Sequence, residues 1–194
     1  MAPVARPVVH TDSLRQDLLA VTADLVDREG PARVTLRDVA AAAGTSTTAV
    51  YSLFGGKSQL LTAVVDEGFR SFGDSQAQAA PGGLQGLGFA YRQWALAHPA
   101  LYRLMFGGAL AAYVDCSPSP EVAAGAMDPL IEAVAAAQTA GGVRPAPPEA
   151  VAVAIWGQVH GLISLELAEV GPPDADWESV YGLALEAIAR GWAA

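Results

Sequence analysis

The stretch TLRDVAAAAGTSTTAVYSLFGGK, residues 35–57, carries the signals for two short helices joined by a tight turn. Thr35 is a good N-cap for the first helix, and Asp38 places a carboxylate near the unpaired amides at its start. Gly44 is typical of a left-handed C-terminal cap. Thr45 and Ser46 are both good N-caps for the second helix. The stretch therefore predicts a helix, a turn of a few residues and a second helix.

Apolar residues recur at helical spacing in both predicted helices and can pack across the turn. They are Leu36, Val39, Ala40, Val50 and Phe54. This packing leaves polar residues facing outward, namely Arg37, Thr47, Thr48 and Tyr51. Two helices joined by a turn of about three to four residues that includes glycine are typical of a helix-turn-helix, whose second helix can enter a DNA major groove.

The residues after this pair extend the pattern. Gly55, Gly56 and Lys57 follow the second helix, and SQLLTAVVDEGF, residues 58–69, opens a longer amphipathic helix. With these elements in this order, the sequence resembles the tetracycline-repressor (TetR) family of bacterial transcription regulators over about residues 13–65.

The resemblance implies an all-α fold of about nine helices. A three-helix helix-turn-helix head would occupy residues 1–70, and a helical ligand-binding and dimerisation domain would occupy residues 71–194. Ser13 and Gln16 form a capping box that predicts the start of the first helix.

The resemblance also implies which residues meet DNA. Hydroxyls at the start of the second helix would contact bases or phosphates, Arg37 would reach a base edge or a phosphate, and Tyr51 and Lys57 would contact phosphates. The full predicted set is Thr35, Arg37, Thr45, Ser46, Thr47, Thr48, Tyr51 and Lys57. The sequence departs from the family at Leu53, where many members have histidine, and at the two glycines that follow Phe54.

The net charge of −9 is unevenly distributed. Residues 1–70 carry seven Lys or Arg against eight Asp or Glu, and the rest of the chain carries four against twelve. The N-terminal part is therefore neutral and the C-terminal part acidic, which predicts weak non-specific affinity for DNA. A dimer that reads two half-sites would have to supply the remaining affinity.

Beyond residue 83 the pattern is helical throughout, with breaks at Pro and Gly and one helix predicted from Glu121 to about Ala140. Aromatic and Met side chains at helical spacing either form the core or line a cavity for a small apolar ligand. They are Trp94, Tyr102, Met105, Phe106, Tyr113, Met127, Trp156 and His160.

The last two predicted helices have more apolar surface than one fold of this size needs, which favours a two-fold dimer built from a four-helix bundle. The predicted interface consists of small and β-branched residues: Ala154, Gly157, Gly161, Ser164, Val180, Ala184, Ala187 and Gly191. WGQVHGLISLEL, residues 156–167, resembles the TetR subgroup named for a Trp, His, Gly signature.

Several classes are disfavoured by composition. The single cysteine, Cys116, fits a reducing cytoplasm, and no secretory signal is found. No apolar segment reaches about 18 residues without a charge, so we expect no membrane partner. The histidines lack metal-ligand spacing, and we expect no metal, cofactor or enzymatic activity. The leading hypothesis is a cytoplasmic, dimeric repressor that a small apolar ligand releases from its operator. The alternative is a dimeric all-α carrier or sensor that no longer binds DNA.

Overall fold

Helices account for the regular structure in the part of the chain that the computed structural model describes, residues 9–106 and 118–194. Apart from one isolated β-bridge between Val143 and Ala193, these residues contain no strand pairing. The all-α prediction is confirmed. The helices are α1 (Val9–Glu29), α2 (Leu36–Ala42), α3 (Thr47–Phe54), α4 (Lys57–Ala79), α5 (Gly83–Ala97), α6 (Pro99–Phe106), α7 (Pro120–Gly125), α8 (Asp128–Thr139), α9 (Pro148–Leu167) and α10 (Trp177–Trp192), with one 3-10 turn at Ala80–Gly82.

The described residues pack into two compact units. Unit 1 takes those within Met1–Phe69 and Ala100–Pro120, and unit 2 consists of Arg70–Pro99 and Glu121–Ala194. Helix α4 passes from one unit into the other, close to the predicted domain boundary. The division at residue 70 itself stays a prediction.

Helix α6 groups with unit 1 because of its packing. Leu104 is buried in the core of that unit, and Leu101 packs against the same core. The Arg103 guanidinium donates two hydrogen bonds to the Asp27 carboxylate of α1, and this pairing lowers the pKa of Asp27. Sequence periodicity cannot reveal such a contact, because its partners lie 76 residues apart.

Two predicted helix boundaries are wrong. Helix α1 begins at Val9, four residues before Ser13, because residues 9–12 hold no Pro or Gly to stop it. The single helix predicted from Glu121 is two helices, α7 and α8. Pro129 in the first turn of α8 has no amide to bond the carbonyl of Gly125, so the chain breaks there.

The local signals of the helix-turn-helix are found as predicted. Thr35 and Asp38 form a reciprocal capping box at the start of α2, and Gly44 adopts the left-handed conformation after it, with φ of 63°. The Ser46 hydroxyl accepts a hydrogen bond from the Ala49 amide at the start of α3. These caps fix the ends of both helices and hence the turn between them.

A shared apolar core holds the helices of unit 1 together. The apolar residues predicted to pack across the turn all contribute, with Leu36 only partly buried. Burial of one such side chain stabilises the fold by about 1.5–3 kcal/mol. The most deeply buried side chains of this core are Leu18, Val39, Val50, Leu60, Leu61, Val64 and Val65.

Unit 2 is a cluster of helices in which α5 contacts α8 and α9, and α9 contacts α10. Tyr181 of α10 donates a 2.8 Å hydrogen bond to the Gly88 carbonyl of α5. A Cβ added at Gly88 would lie 2.7 Å from a methyl group of Leu185, so a larger residue there would have to displace this side chain. Arg92 of α5 and Glu166 of α9 form a partly buried bidentate ion pair.

Helix α9 is long and apolar enough to cross a membrane by length and composition, a test that the core helix of a soluble protein also passes. It has 20 residues with a mean hydropathy of 1.4, and it is the one helix within residues 9–106 and 118–194 that passes by length and composition. Its charged residues, Glu149 and Glu166, lie near its two ends and leave the apolar stretch uninterrupted. Only 28% of this stretch is buried.

Candidate nucleic-acid interface and ligand cavity

Helix α3 has one buried face and one exposed polar face. Val50 and Phe54 are buried in unit 1, whereas Thr48 is exposed, Thr47 is half-exposed, and Tyr51 exposes 58% of its surface. A tyrosine this exposed does not contribute to the packed core. The exposed face combines hydroxyls and an aromatic ring on a rigid helix, which suits contact with bases and phosphates.

The residues around the turn divide into capping groups and an outward cation. Thr35 and Ser46 are exposed, but both side chains already hydrogen-bond helix termini. Thr45 is half-exposed, and its amide donates to the Ala40 carbonyl to close the turn. Arg37 is exposed on α2. The first three therefore shape the surface, and Arg37 can extend from it.

The start of α4 and the family departures also have structural explanations. Lys57 is the first residue of α4 and is half-exposed. Leu53, which replaces the frequent histidine, packs against the core of unit 1. Gly55 has φ of 83° and ends α3, and a left-handed residue of this kind favours glycine. Leu53 and Gly55 thus serve the fold of the head.

A cavity of about 490 Å³ lies in unit 2, between α5, α8, α9 and α10. Its walls are mainly aliphatic and aromatic. A cavity of this size and lining is typical of a site for a small apolar molecule.

Three polar side chains from α5 and α9 form a hydrogen-bonded group at this cavity. The Trp156 indole N–H donates to the Tyr91 hydroxyl at 3.2 Å, and that hydroxyl lies 3.0 Å from Nδ1 of His160. Tyr91 and Trp156 line the cavity directly. Burial lowers the pKa of His160, so its neutral form is favoured within this group.

The predicted pocket residues are divided between the two units. Trp156 lines the cavity, and His160 contacts the Tyr91 hydroxyl without itself being a lining residue. Trp94 and Met127 are not among the lining residues. The buried Trp94 donates a hydrogen bond to Ser71 and stacks on His98, and Met127 is half-buried beside the start of α8. Three of the others belong to unit 1: Tyr102, Met105 and Phe106.

Within unit 1, Tyr102 packs edge-on against Phe106, and Met105 lies against Gly68. Tyr113 lies outside the described residues. Tyr91 and Gln76 are cavity residues that the sequence reasoning missed. Tyr91 carries a usable signal, because a tyrosine within an apolar helical stripe needs a polar partner for its hydroxyl.

The predicted interface residues of α9 and α10 lie on open surface. Gly157 and Gly191 are exposed, Gly161 is half-exposed, and a Cβ added at any of the three would meet no atom within 4 Å. Ala154, Ala187 and Val180 are exposed, and Ser164 and Ala184 are half-exposed. The large side chains Val153, Leu165 and Leu183 on the same two helices are also exposed, at 55%, 45% and 63%.

The neutral state of His160 predicts that acid weakens unit 2. Because the folded protein holds this imidazole with a lowered pKa, the unfolded chain takes up the proton first as pH falls below about 6.5. The free energy of unfolding should therefore decrease from pH 7.5 to pH 5. Urea unfolding of wild type and His160→Gln across this range measures the effect. A variant whose pH dependence equals that of wild type would contradict the prediction.

Family models identify the class of protein that this fold and these sites define. The model of bacterial regulatory proteins of the tetR family matches residues 18–64, and that of the tetracyclin repressor-like C-terminal domain matches residues 84–188, more than half of the chain. The chain belongs to the tetracycline-repressor family of bacterial transcriptional regulators. Members are typically DNA-binding repressors with a ligand-binding C-terminal domain.

Solved structures agree with this assignment. A protein of unknown function from Rhodococcus sp. RHA1 has 26% identity and a TM-score of 0.78, with 100% of both chains covered. At the level of the fold, a TetR family transcription regulator from Marinobacter aquaeolei VT8 has 21% identity and a TM-score of 0.74, covering 95% of this chain and 97% of its own. A bacterial regulatory protein of the tetR family from Rhodococcus RHA1 has 23% identity and a TM-score of 0.71, covering 93% of this chain and 97% of its own. A search of curated proteins found no significant match.

Proposed function

We propose that this protein is a cytoplasmic homodimer that represses transcription from a roughly palindromic operator and leaves it when a small apolar ligand fills the cavity of unit 2. The observation that carries the proposal is the exposed polar face of α3, whose opposite face anchors it in the core of unit 1. In a dimer, each α3 would enter a major groove, with half-sites one helical turn apart or a multiple of it.

Ligand release requires a ligand that prefers one dimer state over another. Helix α4 contributes residues to both units, so a change in its position is the natural route from cavity to head. Trp156, His160 and Gly161 also support membership in the Trp-His-Gly subgroup, since the first two share the Tyr91 hydroxyl beside the cavity.

Two substitutions distinguish residues that bind every DNA sequence from residues that select among operator sequences. Tyr51→Ala should weaken binding to every DNA sequence, because its hydroxyl contacts phosphate. Arg37→Ala should instead change the relative affinities of operator variants, because its guanidinium reads a base edge. Fluorescence anisotropy on an operator and its single-base variants, at two salt concentrations, distinguishes the two effects. Equal losses on all sequences for Arg37→Ala would assign that residue to phosphate contact.

The exposed apolar face of α9 and α10 supports the dimer. Gly157 and Gly161 allow a partner helix to approach α9 closely, and that helix would also bury the exposed Leu183 of α10. This face also accounts for the membrane-like composition of α9 without any membrane partner.

Gly157→Trp tests this interface. The position has open space around it in one chain, so the variant should fold, but the indole would separate two closely packed helices. We expect the dimer dissociation constant to rise at least about 100-fold, measured by analytical ultracentrifugation. Gly182→Trp is the matched control, because Gly182 also has nothing within 4 Å of an added Cβ and is outside the proposed interface. A fully dimeric Gly157→Trp protein would place the interface elsewhere.

A second candidate is a dimeric all-α carrier or sensor that no longer binds DNA. The nearly neutral charge of residues 1–70 favours it, because DNA-binding heads usually gain affinity from excess Lys and Arg. Salt-dependent retention on DNA discriminates between the two. A carrier would bind ligand but show no saturable DNA binding at low or moderate salt.

A further inference from the structure

The walls of the cavity in unit 2 carry almost no charged side chains. Nineteen described residues line it, and none of them is Lys, Arg or His. Glu186 is the one charged residue among them. A ligand that enters this cavity therefore meets no positive charge on its walls.

Exposure of the lining residues distinguishes the floor of the cavity from its mouth. Tyr91 and Gln76 are buried, so they belong to the floor. The Gln76 amide lies beside the peptide groups of Leu87 and Tyr91 on α5, and its orientation with O and N exchanged hydrogen-bonds both. The exposed lining residues mark the mouth and are Gly82, Gln85, Gly142, Glu186 and Ala189.

Three arginines adjoin lining residues in the sequence, and each already has a partner. Arg92, which follows Tyr91, forms the ion pair with Glu166. The Arg144 guanidinium stacks over Trp192 at 4.5 Å from the ring centroid, and Arg190 hydrogen-bonds Glu186 at 3.3 Å. Arg144 and Arg190 are both exposed. His160 contacts the Tyr91 hydroxyl, and burial lowers its pKa, which favours the neutral imidazole.

An anionic headgroup would consequently lose its water at the floor without gaining a cation, and burial of an unpaired charge is costly. An uncharged polar group avoids this cost and can hydrogen-bond within the group formed by Tyr91 and Trp156. One hydrogen bond of this kind also fixes the orientation of an otherwise apolar ligand.

We infer that the cavity selects an uncharged, largely apolar molecule whose single polar group reaches the Tyr91 hydroxyl, and that it rejects carboxylates and sulfonates with the same skeleton. This inference rests on the ligand-binding role proposed above, which it makes more specific.

Two fluorescent probes with one aromatic skeleton test the charge preference. N-phenyl-1-naphthylamine is neutral, and 8-anilino-1-naphthalenesulfonate adds a sulfonate. In titrations of the full chain, we expect the neutral probe to bind at least about tenfold more tightly, a difference of about 1.4 kcal/mol. Equal or tighter binding of the sulfonate would overturn the inference.

Variants at Leu130 and Ala137 establish that the probes occupy the cavity, because both residues line it and are half-buried. Leu130→Trp or Ala137→Trp should fill the space and reduce binding of the neutral probe at least about tenfold, with circular dichroism confirming the fold. Leu130→Lys places a cation on the cavity wall and should therefore reduce the ratio of the affinity for the neutral probe to that for the sulfonate. Leu130→Met is its uncharged control. Unchanged binding in both Trp variants would place the probe outside the cavity and overturn the inference.

Tyr91→Phe tests the polar contact. In wild type, 1-naphthol should displace the neutral probe at a concentration about threefold or more below that of 1-methylnaphthalene, and the variant should lose this difference. No difference in wild type would overturn the assignment to Tyr91. If instead the cavity does not serve as the ligand site of a repressor, neither probe will bind, or a bound probe will leave the affinity for operator DNA unchanged. These results are distinguishable from those that overturn the charge preference.

Discussion

Replacing Thr48 with Asp should abolish specific DNA binding while leaving unit 1 folded. Thr48 is exposed at the second residue of α3. A carboxylate in the first turn interacts favourably with the helix dipole, so the helix itself should be stabilised slightly. On the DNA side the same carboxylate faces phosphates and base acceptors, and like charges brought together at an interface cost several kcal/mol. We expect a loss of operator affinity of about 100-fold or more, measured by fluorescence anisotropy.

Thr139→Asp is the control for this experiment. It makes the same chemical change at an exposed position of α8 in unit 2 and should leave the affinity within about twofold. An unchanged affinity for Thr48→Asp, in a protein with wild-type circular dichroism, would mean that the exposed face of α3 does not meet DNA.

Replacing Leu18 with Ala should lower the free energy of unfolding by about 3 kcal/mol. The Leu18 side chain is 0% exposed in the core that holds α1 to the helix-turn-helix. The substitution removes buried apolar surface and leaves a cavity that rigid neighbouring helices only partly fill. Urea unfolding monitored by circular dichroism gives the change from the shift in midpoint at constant slope.

Leu96→Ala provides the comparison, because Leu96 on α5 is 39% exposed and its truncation leaves no buried cavity. We expect a loss below about 1 kcal/mol. Similar losses for the two variants would contradict the placement of Leu18 at the centre of the core.

Local signals in the sequence predicted the head well. Capping at Thr35 and Ser46, the left-handed Gly44 and the apolar spacing within α2 and α3 all depend on residues within a few positions of one another. Interactions of that range are decided by backbone hydrogen bonds and side-chain periodicity, which a sequence shows directly. The error at Val9 has the same origin, since a good capping box does not prevent a helix from starting earlier.

The ligand cavity was less predictable. Its polar floor depends on Tyr91 meeting Trp156 and His160, which lie 65 and 69 positions away in the sequence. Helical spacing shows that each residue faces inward but not which helix it meets there. Tyr102 illustrates the limit, because it shares the aromatic pattern and yet packs against Phe106 in the other unit.

One measurement decides whether this protein is a repressor. It is the binding of the purified protein to labelled DNA from the region upstream of its own gene, by fluorescence anisotropy at two salt concentrations with scrambled competitor DNA. We expect saturable binding that survives the competitor, weakens with salt, and is lost in Thr48→Asp. If that region gives no binding, a selection from random DNA fragments extends the same measurement to other operators. A folded, dimeric protein that retains no DNA sequence in either format would contradict the repressor function and favour the ligand carrier.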